Sequence, residues 1–369
     1  MQEPTEGRER PADAVWGTGE PVAPIAVAGG AAGATAHFQD SPIPIDDATI
    51  ARLRSVCDVV DDPATTGEAS RDWWPLAMIW ATEGQVPQRA AAVARPSTQA
   101  QVADVLKICN SARIPVTAAG GRSGVAGASV PRHGGLVLDM CALSGIRDVD
   151  DKSLIADVLP GTFGDRYEDE LRSVHSLTGG HWPQSMALST VGGWLACRGA
   201  GQLSTRYGKI EDLVVGLNVV LADGSTISTG GHPRAAVGPD LNQLFVGSEG
   251  TLGIITGARL RVFPTPPAQR VAAYSFASFE VGMDWCRRIL RRGATPAVLR
   301  LYDSIESERH YQLGDDRCVA IVMDEGDPVI IDAAMAVVAA EATAGAAEVL
   351  PDELVSTWFK ERNNVAALE

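Results

Sequence analysis

Hydrophobic positions recur along the chain with two different periods. In "STQAQVADVLKICNSA", apolar residues fall at Val102, Val105, Leu106 and Cys109, one face of a helix that starts on a Ser97 or Thr98 cap. "IPVTA" reads as a short buried strand, and after a glycine-rich loop "GGLVLDM" reads as another. "LIADVLPG" predicts a strand and "TFGDRYEDELRSVH" a helix leading out of it. "EDLVVGLNVVLADGSTIST" predicts two strands around an Asp223-Gly224 turn, and "GTLGIITGARLRVFP" one more. Prolines 264, 266 and 267 mark a boundary. Beyond it come strand "RVAAYSFA", helix "SFEVGMDWCRRILRRG", strands "AVLRLYDS" and "CVAIVMDEG", and helix "PVIIDAAMAVVAAEATAG". A helical "ELVSTWFKERNNVAALE" ends the chain at Glu369 with no closing strand visible.

The pattern is α+β, in three parts. Residues 1–48 are rich in Pro, Gly and Ala without periodicity and read as a flexible lead. Residues 49–266 form a first folded domain, and 267–369 a second α+β domain that reads as incomplete.

With 369 residues, 45% hydrophobic and 21% charged, the chain can fill two domain cores. Its formal net charge of −15 argues against nucleic acid or an anionic membrane face as the main partner. A small anionic ligand remains open, since local charge decides that. Six scattered cysteines form no Cys-x-x-Cys pair, so free thiols are expected rather than zinc, another metal or a disulfide framework. The apolar "PVAPIAVAGGAAGATAHF" follows an acidic lead and is broken by Pro and Gly, unlike a targeting segment. No run is long and apolar enough to span a bilayer, and the expected address is the cytoplasm.

The loop "PVTAAGGRSGVAGASVP" (115–131) brings glycines 120, 121, 124 and 127 between two strands. A Walker loop needs Gly-Lys-Ser/Thr leading into a helix, and no lysine lies between Lys107 and Lys152. A Rossmann fingerprint needs its third glycine on a helix, whereas Pro131 and a strand follow here. A backbone N–H nest for an anion and a ligand-free turn both remain. Two further small-residue tracts, "PQSMALSTVGGWLACRGAG" (183–201) and "GSEGTLGIIT" (247–256), favour a long diphosphate dinucleotide held by hydroxyls and backbone N–H groups.

These tracts, with "TRYGKIEDLVVGLNVVLADG" (205–224), resemble the FAD-binding PCMH-type domain of the vanillyl-alcohol oxidase/p-cresol methylhydroxylase superfamily. "STVGGW", "YGKIEDLVV" and "GPDLNQLFVGSEGTLGIIT" are especially similar to the alkylglycerone-phosphate synthases, and the D-2-hydroxyacid dehydrogenases share the domain. The resemblance runs over roughly residues 85–305. It implies a two-subdomain FAD-binding fold followed by a cap domain. The implied activity is exchange of acyl for alkyl on dihydroxyacetone phosphate in ether-lipid synthesis. Oxidation of a D-lactate- or glycolate-type hydroxy acid is the alternative, and an FAD-binding module without activity is a third reading. A lipid-phosphate or other small-molecule substrate follows from it, with peripheral membrane contact and a homodimer as further expected partners.

By the resemblance, Ala118, Ala119, Gly120, Gly121, Arg122, Ser123 and Gly124 match the loop around the FAD diphosphate. Gln184, Ser185, Met186, Ala187, Leu188, Ser189 and Thr190, then Cys197, Arg198, Gly199 and Ala200, match segments along the diphosphate and flavin. Glu249, Gly250, Thr251, Leu252, Gly253, Ile254 and Ile255 match the turn at the adenosine end. Arg300, in "TPAVLRLYD", matches a cap-domain arginine required for activity. The absence of histidine from residues 110–132 implies non-covalent FAD. Arg122 departs from the family loop, which keeps a small residue there. The synthases' tyrosine acid, histidine cluster and phosphate-binding arginine match no segment of this sequence.

Other residues carry blander readings. His181 and Trp182 read as a packed aromatic beside a satisfied histidine, or as flavin neighbours. Glu211 and Asp212 read as capping or salt-bridging carboxylates. "RDWWPLAMIW" (71–80) reads as the join between lead and domain, and no basic neighbour in sequence marks Cys197 as a reactive thiolate.

Overall fold

The computed structural model describes residues 21, 25–232, 236–312 and 316–362. The first sheet runs in the order Asp58–Val60, Ala92–Arg95, Leu136–Asp139, Val116–Ala119. Its last three strands are parallel. Strands Val116–Ala119 and Leu136–Asp139 are adjacent, so the chain between them must cross over. It does so through the glycine-rich loop, not through a helix. Helix Gln99–Ala112 begins on Thr98, whose side chain accepts the Gln101 N–H at 3.2 Å. Its stripe of Val102, Val105, Leu106 and Cys109 covers Ala92, Ala94, Leu136 and Leu138 on one sheet face. The opposite face packs Val93 and Val137 against Ala69 and Ala119.

The second sheet is antiparallel, in the order Thr226–Ser228, Val214–Val220, Ile254–Arg261, Ile155–Val158, Ile146–Asp150. Its hairpin turns at Asp223-Gly224 as expected, with Asp223 accepting the Ser225 N–H at 2.8 Å. The third sheet, also antiparallel, is ordered Val298–Leu301, Cys318–Gly326, Ala268–Phe276, Glu348–Leu350. Helices Phe279–Arg291 and Pro328–Ala344 cover one of its faces through Trp285, Ile289, Val338 and Ala342. Its other face, bearing Ala273, Val298, Val319, Ile321 and Met323, joins a core shared with Trp182, Trp194 and Tyr207. The third unit is thus bonded to the second sheet's half by continuous apolar packing.

Three sequence expectations change. Glu348–Leu350 supplies the strand the sequence did not reveal, pairing with Ala273–Ser275. Its short length and half-exposed pattern gave no period to detect. Helix Ser304–Tyr311 was also absent from the sequence reading. Finally, residues 25–48 are not a loose lead. Thr35–Ala36 pairs in parallel with Gln85–Val86, and Val27, Ala31 and Ala34 bury against Ala81 and Val86. The Arg89 guanidinium donates to the carbonyls of Ala34 at 2.6 Å and Ala31 at 3.2 Å. Small residues packed singly under arginine clamps leave no amphipathic signal. The "RDWWPLAMIW" stretch does join this segment to the domain, with Trp80 stacked on His37 at 3.9 Å. Residues 1–20 of the expected lead lie outside the described residues.

Candidate functional site

The three small-residue tracts meet. Residues 160–164 seat the second tract: Gly164 N–H donates to Ser189 O at 3.0 Å, Val191 N–H to Thr162 O at 2.9 Å, and Gly192 N–H to Pro160 O at 2.8 Å. The third tract is tied to the second by Gly247 N–H to Leu195 O (2.9 Å) and Glu249 N–H to Ala196 O (3.1 Å). Glycines let the first tract close on the second. A Cβ on Gly120 would lie 2.4 Å from Thr190 Oγ1, and one on Gly121 only 1.9 Å from the Leu188 carbonyl oxygen. Part of the loop's glycine content therefore serves chain-to-chain approach.

What these contacts enclose is a cleft with about 650 Å³ of space, part of it open to solvent. Its walls are small or apolar: Ala118, Ala119, Gly120, Gly192, Gly193, Ala196, Gly250, Gly253, Ile254, Ile255, Met140 and Pro160. Thr190, Ser129, Ser248, Cys197 and Glu249 supply the polar edge, and no lysine or arginine lines it. Among the described residues, the backbone N–H groups of 122–126 donate to no backbone carbonyl. A cleft of this kind suits a flat, largely apolar ligand whose anionic part is received by free amides and hydroxyls.

His181, 2% exposed, packs against the second tract, and among the described residues neither ring nitrogen has a hydrogen-bond partner. The ring packs 4.7 Å from Trp194, and Gly199 and Gly201 lie close against it. Burial holds its pKa down to about 4. The sequence reading of a satisfied histidine is therefore corrected: tight packing of glycines and Trp194 around the ring leaves no acceptor or donor in reach. The Cys197 thiol is raised above its ordinary pKa by crowding and by the Glu249 and Asp72 carboxylates, so it is not a thiolate nucleophile.

Of the residues matched by resemblance, Ala118, Ala119, Gly120, Thr190, Cys197, Glu249, Gly250, Gly253, Ile254 and Ile255 line the cleft. Met186, Ala187 and Leu188 are buried core, and Ser189 accepts the Trp194 indole N–H at 2.7 Å. Arg198 is turned to the carbonyls of Val246 (3.0 Å) and Gln243 (3.3 Å), a clamp on the third tract. Arg122 lines a different concavity, with Arg95, Asp139 and Cys141. Glu211 pairs with Lys209 at 2.9 Å and Asp212 accepts the Lys209 N–H at 2.9 Å, the structural roles expected of them.

Arg300 does not line the cleft. It sits on the third sheet beside Val298, with its guanidinium 5.3 Å from the Trp358 ring. On the face shared by the two halves, Tyr207 donates to Glu325 at 2.7 Å and Arg206 to Asp324 at 2.6 Å. Sequence reading missed both carboxylates, since "VMDEG" looks like the polar end of a strand. A smaller cavity here is lined by Arg172, Trp182, Gln202, Leu203, Met323, Glu325 and Phe359.

Residues 90–230 match the family model for an FAD binding domain. The chain is 35% identical over 293 residues to the uncharacterized FAD-linked oxidoreductase YgcU of Escherichia coli O157:H7, covering 75% of this chain and 58% of that protein. It is 32% identical over 231 residues to the alkyldihydroxyacetonephosphate synthase of Caenorhabditis elegans, covering 62% of this chain and 38% of that one. It is 34% identical over 215 residues to glycolate oxidase subunit GlcD of Bacillus subtilis, covering 58% and 45%. The chain thus spans little more than half the length of these relatives, or less. Among solved structures it resembles an alkyldihydroxyacetonephosphate synthase, with a TM-score of 0.77 at 23% identity over 90% of this chain and 65% of that one. It also resembles substrate-bound p-cresol methylhydroxylase, with a TM-score of 0.70 at 17% identity over 86% and 71%.

Proposed function

The chain is an FAD flavoprotein of PCMH-type fold, and from that premise we propose that it works as a flavoenzyme of the alkylglycerone-phosphate synthase type. The reaction is exchange of an acyl for an alkyl group on dihydroxyacetone phosphate. The residues present fit FAD, because the cleft offers unclaimed loop amides, the Thr190, Ser129 and Ser248 hydroxyls and small walls. The loop around residues 120–126 receives the diphosphate, the second tract runs beside the flavin, and Glu249–Ile255 borders the adenosine end. Bound FAD supplies the reactive isoalloxazine ring.

The observation that carries the substrate assignment is Arg300. A guanidinium stacked on Trp358, on the sheet face that packs against the FAD-binding half, offers planar donors to a phosphate. The face-to-face contact of the two halves excludes water from this junction.

Similarity to glycolate oxidase subunit GlcD supports a second reading, oxidation of a small D-2-hydroxy acid, in which Arg300 receives a carboxylate. The FAD-loaded chain separates them. Acyl-for-alkyl exchange with a long-chain alcohol, without net loss of flavin absorbance, supports the synthase reading. Anaerobic bleaching by D-lactate or glycolate supports the oxidase reading instead. Neither activity in a yellow protein reduces the chain to an FAD-binding module. In whichever assay responds, Arg300→Ala lowers kcat/KM at least about 30-fold, as expected for removing a half-buried charged partner of an anion.

A further inference from the structure

We propose that the concavity behind the glycine loop is a second ligand site, separate from the FAD cleft, that takes a small oxyanion (carboxylate or phosphate) on the Arg122 guanidinium. The two cavities share no lining residue.

The backbone at Arg122 is the first observation. Its φ is +54°, a left-handed conformation that a glycine adopts freely and that strains a residue with a Cβ. The side chain is the second. It is half-buried, and among the described residues it makes neither a hydrogen bond nor an ion pair.

Its neighbours are already engaged. Arg71 holds Glu68 at 2.7 Å and the Ile25 carbonyl. Arg95 holds Asp58 at 3.5 Å and approaches Asp139 at 4.0 Å, and Asp139 also accepts the Cys141 N–H at 3.1 Å. Of these three guanidinium groups, Arg122 is the one that no carboxylate among the described residues approaches within 4.0 Å. Burial lowers its pKa, although the Asp139 and Glu68 carboxylates act in the other direction.

A guanidinium in a recess, without protein acceptors among the described residues, is a ready partner for an anionic ligand. The rest of the lining includes the Thr65 side chain, apolar Ala69 and Val93, and the Glu68 and Asp139 carboxylates, which Arg71 and Arg95 offset. The concavity has about 980 Å³ of space, part of it open solvent, ample for a ligand larger than a single ion.

The test uses the full chain saturated with FAD, so that the diphosphate site is filled. Inorganic phosphate and succinate are titrated against chloride at matched ionic strength, and modification of Arg122 by phenylglyoxal is followed by peptide mass spectrometry. Expected is a saturable rise in Tm with one or both probes, and about tenfold slower modification when the probe stands about tenfold above its Kd. Arg122→Gly, which relieves the left-handed backbone, abolishes the rise in Tm. Unaltered modification of Arg122 at saturating probe overturns the proposal, and so does an equal Tm rise in Arg122→Gly. Protection of Arg122 by FAD added to the apoprotein, with none from the probes, returns the residue to the FAD site and equally overturns it. The labelling experiment needs only the unmutated chain, so misfolding of the variant does not leave the question open.

Discussion

Replacing His181 by leucine tests the buried ring directly. In the fold its pKa is held near 4, against 6.5 for the free group, because the ring is sealed from water with no partner for a second proton. The unfolded chain therefore binds the proton first as pH falls. Stability from the neutral ring is complete above about pH 7 and is lost as pH drops through 6.5 toward 4. The linkage works out to about 2 kcal/mol lost by pH 5 and about 3 kcal/mol by pH 4. Urea denaturation of the FAD-free chain and of His181→Leu, at half-unit steps from pH 7 to pH 4, reads this as a difference. Leucine does not titrate, so the wild type should lose about 3 kcal/mol relative to the variant across that range. Parallel curves, with a constant difference at every pH, would refute the sealed, neutral histidine.

Other expectations are smaller to state. Gly121→Ala should destabilise the FAD-free chain by about 1–3 kcal/mol, since its Cβ meets a backbone carbonyl that cannot turn aside. Gly124→Ala, with nothing within 4 Å of its Cβ, should stay within about 0.5 kcal/mol of wild type while weakening FAD binding. Thermal unfolding with and without FAD checks both. Glu325 is raised above the ordinary carboxylate range, mainly by burial, although the Tyr207 hydrogen bond opposes the shift. Its contribution to stability is thus full at low pH and lost as pH climbs past about 4.5 through the raised value. Glu325→Gln should gain on wild type over that climb, and midpoints that do not diverge count against it. Glu168, 3% exposed, accepts from Arg172, Thr178 and the Gly179 N–H, so Glu168→Ala should cost about 3–5 kcal/mol in a denaturant titration.

Where a pattern belongs to a long element, it was legible in the sequence. The 99–112 helix, its Thr98 cap and the Asp223-Gly224 hairpin follow from periodicity and turn chemistry. The loop's exclusion as a Walker or Rossmann turn also stands, because a strand does follow it. Strand Glu348–Leu350 was illegible because three residues at a sheet edge have no period to display. The packing of residues 25–48 was illegible because it depends on Arg89 and Arg71, distant in sequence, reaching its carbonyls. At the site, the tracts could be identified as a set, but their side-chain directions could not. Arg122 stands inside the loop by sequence but lines a separate concavity by geometry, on a left-handed backbone. His181 was underrated for the opposite reason: only three-dimensional packing shows that nothing satisfies it.

Amide hydrogen exchange of the chain with and without FAD tests the central claim that three tracts form one FAD site. FAD binding should slow exchange together in residues 118–126, 190–200 and 249–255, with one FAD bound per chain and released intact on denaturation. Protection confined to one tract, or appearing outside all three, would contradict it.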